Sequence, residues 1–170
     1  MRYKILSLLA GGLLLAACAT EQAASGGANT GGSSGGTTTP VVQGPAPGSQ
    51  EDLVQNVGDR VFFDLDRYDL KPEAQATLER QAAWLQKYPS VTVTVEGHCD
   101  ERGTREYNLA LGERRANAVK NYLEALGVNG NRVTTVSYGK ERPEVQGSSE
   151  EAWAQNRRGV TMATGGAPSS

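Results

Sequence analysis

The sequence predicts an α+β fold in which helices pack on one side of a mixed four-stranded sheet. Valine alternates with threonine over residues 91–95, as expected of a half-buried strand. The amphipathic segment from Arg105 to Leu126 is followed by Gly127, which predicts a long helix with a glycine at its C-terminal end. Strand-like and helix-like segments alternate in the order β-α-β-α-β-α-β. One sheet covered by one layer of helices is therefore the expected architecture.

Local signals place the other elements along the chain. Pro72 marks the start of a helix that Pro89 ends. Ser148 and Glu151 have the spacing of a capping box, which predicts a short helix. The expected strands cover residues 61–65, 91–95, 132–138 and 160–164.

The N-terminal segment has the layout of a bacterial export signal. A basic start is followed by an apolar stretch, residues 5–15, that is too short for an ordinary membrane span. It ends in Leu15-Ala16-Ala17-Cys18, which resembles the lipobox, where the cysteine becomes a lipidated N-terminus. We expect residues 1–17 to be a lipoprotein signal peptide and Cys18 to carry lipid. The alternative is an ordinary signal peptide with an accidental cysteine.

The residue after that cysteine bears on the membrane of destination. Ala19 stands where an Asp often marks retention in the inner membrane, so its identity favours the outer membrane. Residues 18–50 are rich in Gly, Ser, Thr, Ala and Pro and cannot bury enough surface to fold. They are predicted to be a flexible tether averaging roughly 30 Å end to end. The folded domain is expected over residues 51–164, with residues 165–170 as a tail.

Composition excludes some classes of partner and bond. The formal net charge of −2 gives no electrostatic reason to expect a nucleic acid as partner. The chain has two cysteines, and a disulfide is not expected because Cys18 lies in the processing signal. Cys99 is then a lone thiol, for which we expect a buried, inert side chain, with a reactive one as the alternative.

The predicted long helix carries an arginine on its apolar side. On a helical wheel Arg115 falls in the middle of the apolar face, and Asn108 lies at the edge of that face. A buried guanidinium needs a partner, which is expected to be a carboxylate of the protein or of a ligand. The apolar face itself comprises Tyr107, Leu111, Ala118, Tyr122 and Leu126.

The loop before this helix favours a ligand. Residues 97–104 join a strand to a helix N-terminus and place two acids and a base between two glycines. An acidic and a basic side chain that face one pocket could bind the positive and the negative group of a zwitterionic ligand. We therefore expect Asp100 to take an ammonium group and Arg115 a carboxylate.

Two other kinds of site are poorly supported by the sequence. A hydrolase that uses Asp66 and Asp100 as an acid–base pair is formally possible, but His98 is the chain's one histidine and no nucleophile–base pair is recognisable. Residues 64–69 begin like a calcium-binding loop, but Asp69 stands where Gly is needed and Gln75 where a bidentate Glu belongs. No metal site and no cofactor are predicted.

Several motifs together resemble a known family. They are Phe63-Asp64-Leu65-Asp66-Arg67-Tyr68-Asp69, Gly97-His98-Cys99-Asp100-Glu101-Arg102-Gly103-Thr104, Leu111-Gly112-Glu113-Arg114-Arg115 and Asn156-Arg157-Arg158. In order and spacing they resemble the peptidoglycan-associated lipoproteins (Pal), which belong to the OmpA-like family. Cys99 departs from that pattern, because the family usually has a small residue without a thiol there.

The resemblance implies a non-enzymatic protein of the Tol-Pal system, which supports envelope integrity and outer-membrane constriction in cell division. It implies an outer-membrane lipoprotein that binds the diaminopimelate of peptidoglycan stem peptides without a covalent bond and that also binds TolB. Asp100 and Arg115 would hold the charged groups, Arg102 and Asn108 would add hydrogen bonds, and the leucines would add apolar contact. The implied site residues are Leu65, Asp66, Asp100, Arg102, Asn108, Leu111 and Arg115.

Overall fold

The computed structural model describes residues 44–166. The expected signal peptide, Cys18 and most of the expected tether lie outside the described residues. Within the described part of the chain no helix is long and apolar enough to span a membrane.

A mixed four-stranded sheet forms the centre of the domain and confirms the predicted fold class. Its strands lie in the order β1-β4-β2-β3. The β2–β3 pair is parallel, and β4 is antiparallel to both β1 and β2. The bounds are Arg60–Phe62 for β1, Thr92–His98 for β2, Val133–Gly139 for β3 and Arg158–Gly165 for β4.

Over residues 44–166 four α-helices accompany the sheet, at Gln50–Asp52 (α1), Pro72–Lys87 (α2), Arg105–Ala125 (α3) and Glu150–Asn156 (α4). The helix α1 continues into a π-helical turn, Leu53–Val57, and neither was predicted. A 3₁₀ turn, Gly130–Arg132, was also not predicted. The cap of α4 is Ser149 rather than Ser148, because the Ser149 side chain accepts the Ala152 N–H at 3.3 Å.

The helices α2 and α3 cover one face of the sheet, as predicted. Pro72 occupies the first turn of α2, where its missing N–H costs no hydrogen bond. One continuous core joins this helix to α3 and the strands. Its fully buried members include Leu78, Leu85, Val93, Val95, Val119 and Leu123.

The buried face of α3 differs from the predicted one. Tyr107 is 44% exposed, and Tyr122 is only partly buried. The buried stripe is rotated around the helix toward Asn108 and includes Val119 and Leu123. Arg115 is common to both faces and is fully buried. The polar Asn108 and Arg115 can lie inward because both are hydrogen-bonded there.

Candidate functional site

A cavity of about 330 Å³ opens between the loop after β1, the loop after β2 and the first half of α3. The seven residues of the expected site all line it. Three more lining residues, Cys99, Gly103 and Tyr107, were not assigned to the site from the sequence. Tyr107 could have been found, because it precedes Asn108 and lies one helical turn before Leu111.

The Arg115 side chain extends from α3 into the cavity wall, where its guanidinium donates hydrogen bonds to main-chain carbonyl oxygens. Its Nε donates to the Arg67 oxygen at 2.8 Å, its Nη1 to the His98 oxygen at 2.8 Å and its Nη2 to the Asp64 oxygen at 3.0 Å. Burial lowers the pKa of this guanidinium from its usual value, although arginine stays protonated in proteins. These contacts tie both cavity loops to α3.

The carbonyl contacts correct one expectation about Arg115. In the described part of the chain it forms no ion pair with a carboxylate, so the alternative in which a carboxylate of the protein is its partner is wrong. A guanidinium has five N–H groups, and the carbonyl oxygens use three of them. The other two, one on each terminal nitrogen, are shared between the Cys99 side chain, which lies within hydrogen-bonding reach, and a carboxylate that enters the cavity.

Asp100 is buried and is surrounded by arginine donors. Its Oδ1 accepts hydrogen bonds from the backbone N and the Nε of Arg102, each at 3.1 Å. Its Oδ2 accepts from Arg102 Nη2 at 2.6 Å and from Arg157 Nη1 at 3.4 Å. Burial raises the pKa of this carboxyl, but the hydrogen bonds and charge of Arg102, together with the hydrogen bond from Arg157, outweigh burial and hold the pKa below its ordinary value. Asp100 is therefore ionised and fully hydrogen-bonded.

The short helix α4 holds Arg102 in place from the other side. The Trp153 ring lies 3.9 Å from the Arg102 guanidinium carbon, close enough for a cation–π contact. Glu150 accepts from Arg157 Nη2 at 2.7 Å. Neither Trp153 nor Arg157 was assigned to the site from the sequence, since contacts between α4 and the loop after β2 leave no local pattern.

Asn108 and Cys99 shape the floor of the cavity. The Asn108 amide donates to the carbonyl oxygens of Arg102 at 2.7 Å and Thr104 at 2.9 Å, which closes the loop onto the helix. Cys99 is buried, as predicted, and its thiol donates to the Asn108 carbonyl oxygen at 3.3 Å. Burial raises the pKa of the Cys99 thiol to about 11. A protonated thiol is a poor nucleophile at neutral pH.

The outer rim is formed by the loop after β1 and is more exposed. Leu65 is 55% exposed and offers an apolar surface. Asp66 adopts a left-handed conformation with φ of 57°, which turns the loop over the cavity. The Tyr107 hydroxyl donates to Asp66 Oδ1 and joins the rim to α3.

The lining combines cationic donors, two carboxylates and apolar walls in one small space. Such a set suits a compact ligand that carries both charges and a short aliphatic chain. Among residues 44–166 no group of three or more His, Cys, Asp or Glu side chains could hold a metal ion.

Comparisons with known proteins agree with this fold. A model of the OmpA family matches residues 62–157. The chain is 59% identical over 119 residues to the peptidoglycan-associated lipoprotein of Rhizobium meliloti, spanning 70% of this chain and 68% of that protein. It is 56% identical over 119 residues to the protein of the same name from Brucella melitensis, spanning 70% and 71%.

Solved structures show the same architecture. The peptidoglycan-associated lipoprotein from Burkholderia pseudomallei superposes with a TM-score of 0.61 at 43% identity, covering 62% of this chain and 90% of that one. The C-terminal domain of Helicobacter pylori MotB superposes with a TM-score of 0.59 at 27% identity, covering 63% and 84%.

Proposed function

This chain belongs to the OmpA family and, within it, to the peptidoglycan-associated lipoproteins, and from that membership and its cavity we propose that it binds peptidoglycan without cleaving it. The ligand group is the diaminopimelate of the stem peptide, whose side chain ends in an ammonium and a carboxylate on one carbon. The observation that carries the proposal is the buried Arg115 in the cavity wall, which keeps N–H groups that no main-chain carbonyl uses.

The ammonium group is proposed to bind Asp100 by exchange. All the acceptor positions of this carboxylate are occupied, mostly by Arg102. An incoming ammonium therefore replaces the Arg102 side chain, so the buried carboxylate stays paired throughout. The released Arg102, one-third of whose side chain is already exposed, can then donate to polar groups of the ligand.

The remaining cavity residues fit the rest of this ligand. Leu65 and Leu111 offer apolar contact to the methylene groups of diaminopimelate, and Asn108 holds the loop that carries Asp100. Asp66, on the exposed rim, adds a second carboxylate near the entrance.

The site offers little support for hydrolysis. A general acid needs a carboxyl that remains protonated near neutral pH, usually through a raised pKa. Arg102 and Arg157 hold the pKa of Asp100 below its ordinary value instead. The relatives are likewise named for association with peptidoglycan rather than for a reaction on it.

Anchoring in the outer membrane completes the proposal. Lipid on Cys18 would hold the domain at the outer membrane, facing the periplasm, and the residues between Cys18 and α1 would give it reach to the wall. The expected tether boundary at residue 50 is wrong by a few residues, because Ser49 caps α1 and Gln50 belongs to that helix. The Cys18→Ser variant is then expected to leave the outer-membrane fraction, because the lipid is its anchor. Unchanged fractionation and processing of that variant would contradict the anchor.

TolB is the proposed protein partner, as a member of the Tol-Pal system that links the envelope layers during cell division. If its surface overlaps the cavity, TolB and stem peptide compete for this chain. Equal TolB affinity with and without saturating stem peptide would exclude overlap. The chain's membership of the peptidoglycan-associated lipoproteins supports TolB as a partner.

The central test uses purified cell-wall sacculi. The full chain is expected to sediment with sacculi, and soluble muropeptides are not expected to appear during prolonged incubation. An Asn131→Ala variant, changed at an exposed site away from the cavity, serves as the matched control. Failure of the natural chain to sediment would refute binding, and release of muropeptides would refute the non-enzymatic assignment.

A further inference from the structure

A second groove lies beside the cavity, on the exposed side of α3. It has a volume of about 290 Å³, near the lower end of the roughly 300–1,000 Å³ typical of small-molecule sites. The loop after β1 forms the wall between the two, with Leu65 and Asp66 on the cavity side and Tyr68 on the groove side. The groove is lined by Tyr68, Arg114, Asn117, Ala118 and Asn121.

The lining side chains match a neutral polar ligand better than an anion. Tyr68 is 50% exposed and presents its ring to the groove. Asn117 and Asn121 have no hydrogen-bond partner among residues 44–166, and each amide offers both donors and an acceptor. A carboxylate would leave the two amide oxygens unpaired. Sugar hydroxyls and an N-acetyl group can both donate to the amide oxygens and accept from the amide N–H groups. The C–H face of a sugar ring can pack on the aromatic ring of Tyr68.

Arg114 adds a cation to the groove, three residues after the cavity residue Leu111 on α3. Its guanidinium carbon lies 5.8 Å from the centre of the Tyr68 ring. Within the part of the chain that the structure describes, Arg114 has no ion-pair partner. Its N–H groups are therefore available to carbonyl or hydroxyl oxygens of a bound ligand.

The spacing of groove and cavity suits the architecture of peptidoglycan. Tyr107, Arg114 and Asn121 recur every seven residues and so lie on one stripe of α3. Each step along the stripe is about 10 Å, since seven residues rise 1.5 Å each. In peptidoglycan two residues and a lactyl group separate diaminopimelate from the glycan strand, a reach of about 10 Å when extended.

We propose that this groove binds an N-acetylated sugar of the glycan strand while the cavity holds diaminopimelate of the attached stem. The proposal rests on the proposed function, because the stem must first occupy the cavity. Tyr68 then packs against the sugar ring, and Asn117 and Asn121 bind its hydroxyl and acetamido groups. Arg114 binds oxygens at the link between sugar and peptide.

The test compares two soluble ligands on the purified full chain. One is the tripeptide that ends in diaminopimelate, and the other is the same tripeptide attached to its disaccharide. The natural chain is expected to bind the disaccharide–peptide about tenfold more tightly, since one or two added hydrogen bonds supply that factor. The Asn117→Ala and Tyr68→Leu variants are expected to lose this advantage and keep their affinity for the tripeptide. The Asn131→Ala control keeps both affinities.

The outcomes separate this inference from the proposed function. Equal affinity of the natural chain for the two ligands would overturn the sugar site and leave the cavity assignment intact. If a variant with an unchanged melting temperature loses the same factor of affinity for both ligands, the groove binds the peptide and the inference is overturned. Failure of the natural chain to bind either ligand would overturn the proposed function and the sugar site with it.

Discussion

Gly97 and Gly112 bring β2 and α3 into direct backbone contact. A Cβ atom on Gly97 would overlap the carbonyl oxygen of Gly112. A Cβ on Gly112 would in turn lie 2.9 Å from the Gly97 oxygen. This approach sets the distance between the loop that carries Asp100 and the helix that carries Arg115.

Gly97→Ala is therefore expected to be strongly destabilising. The obstacle is backbone rather than a flexible side chain, so α3 must move away from the sheet. Overpacking of this kind costs about 1–3 kcal/mol, occasionally more. The free energy of unfolding in urea measures the loss. Gly44→Ala is the matched control, since its Cβ would meet nothing within 4 Å, and an equal loss there would contradict the argument.

Arg132 supports a second prediction, which concerns the end of α2. Its Nε donates to the Val91 oxygen at 2.9 Å, and its Nη2 donates to the Leu85 and Tyr88 oxygens at 2.9 and 2.8 Å. Arg132→Lys keeps the charge but cannot reach all three acceptors. The variant is expected to lose about 2–3 kcal/mol of the free energy of unfolding, because at least one of the three bonds is lost and a hydrogen bond from a charged group contributes roughly 1.5–3 kcal/mol.

The control for that variant is an exposed arginine with an ordinary ion pair. Arg105 Nε lies 3.3 Å from Glu141 Oε1, and both side chains are exposed. Arg105→Lys is expected to change the free energy of unfolding by less than about 0.5 kcal/mol. A loss at Arg132 no larger than the loss at Arg105 would show that the three carbonyl contacts contribute little.

The elements were largely predictable because their signals are local. Alternating valine, a proline at a helix start and a glycine after a helix end each act within a few residues. The cap of α4 was misplaced by one residue, since Ser148 and Ser149 are chemically identical and tertiary contacts choose between them. Residues 50–57 lack a comparable signal, and Trp84 of α2 fixes them through a hydrogen bond from its Nε1 to Asp52 Oδ2 at 2.9 Å.

The membership of the site was predictable, but its internal pairing was not. The motif resemblance named seven residues that line one cavity. The resemblance could not reveal that the Arg115 guanidinium donates to three main-chain carbonyl oxygens. Every residue carries a carbonyl group, so the sequence does not mark which three lie near the guanidinium in the folded chain. The buried face of α3 was misjudged for a related reason, since Gly112 packs inward to meet Gly97 and turns Tyr107 outward.

His98 gives a prediction about pH. Its side chain is buried, and burial together with Arg158 and Arg142 lowers its pKa from 6.5 to about 4, although Glu144 acts in the opposite direction. Its ring also lies near Glu96, with Nε2 at 3.3 Å from Oε2. Between pH 6.5 and 4 the unfolded chain therefore binds a proton here and the folded chain does not. Stability is expected to fall as the pH is lowered through that window.

The size of this pH effect can be measured with one variant. A pKa shift of this size corresponds to about 3 kcal/mol, as an order of magnitude. His98→Gln removes the titrating group, so its free energy of unfolding should change much less between pH 6.5 and 4. Parallel curves for the natural chain and the variant would mean that other groups cause the acid sensitivity.

The last prediction tests whether the cavity recognises a zwitterion. Asp100→Asn keeps the size of the side chain and removes the charge that would attract an ammonium. Arg115→Lys keeps the charge and loses the planar guanidinium, which can donate two parallel hydrogen bonds to one carboxylate. Each variant is expected to bind the diaminopimelate stem peptide at least thirtyfold more weakly, because removing one partner of a desolvated charged pair costs about 2–5 kcal/mol.

Both variants also disturb internal contacts, so changes in the ligand provide the decisive control. Arg115→Lys loses carbonyl hydrogen bonds, and Asp100→Asn leaves the Arg102 and Arg157 guanidinium groups without one carboxylate partner. A stem peptide with lysine in place of diaminopimelate keeps the ammonium and lacks the adjacent carboxylate, and it leaves the protein unchanged. The natural chain is expected to bind the lysine peptide poorly. Arg115→Lys is expected to lower the affinity for that peptide little further, because the peptide lacks the carboxylate to which Arg115 would donate. Isothermal titration beside a melting temperature for each variant measures both effects. Equal binding of the two peptides by the natural chain, with folding lost in both variants, would mean that Asp100 and Arg115 stabilise the fold and bind no ligand.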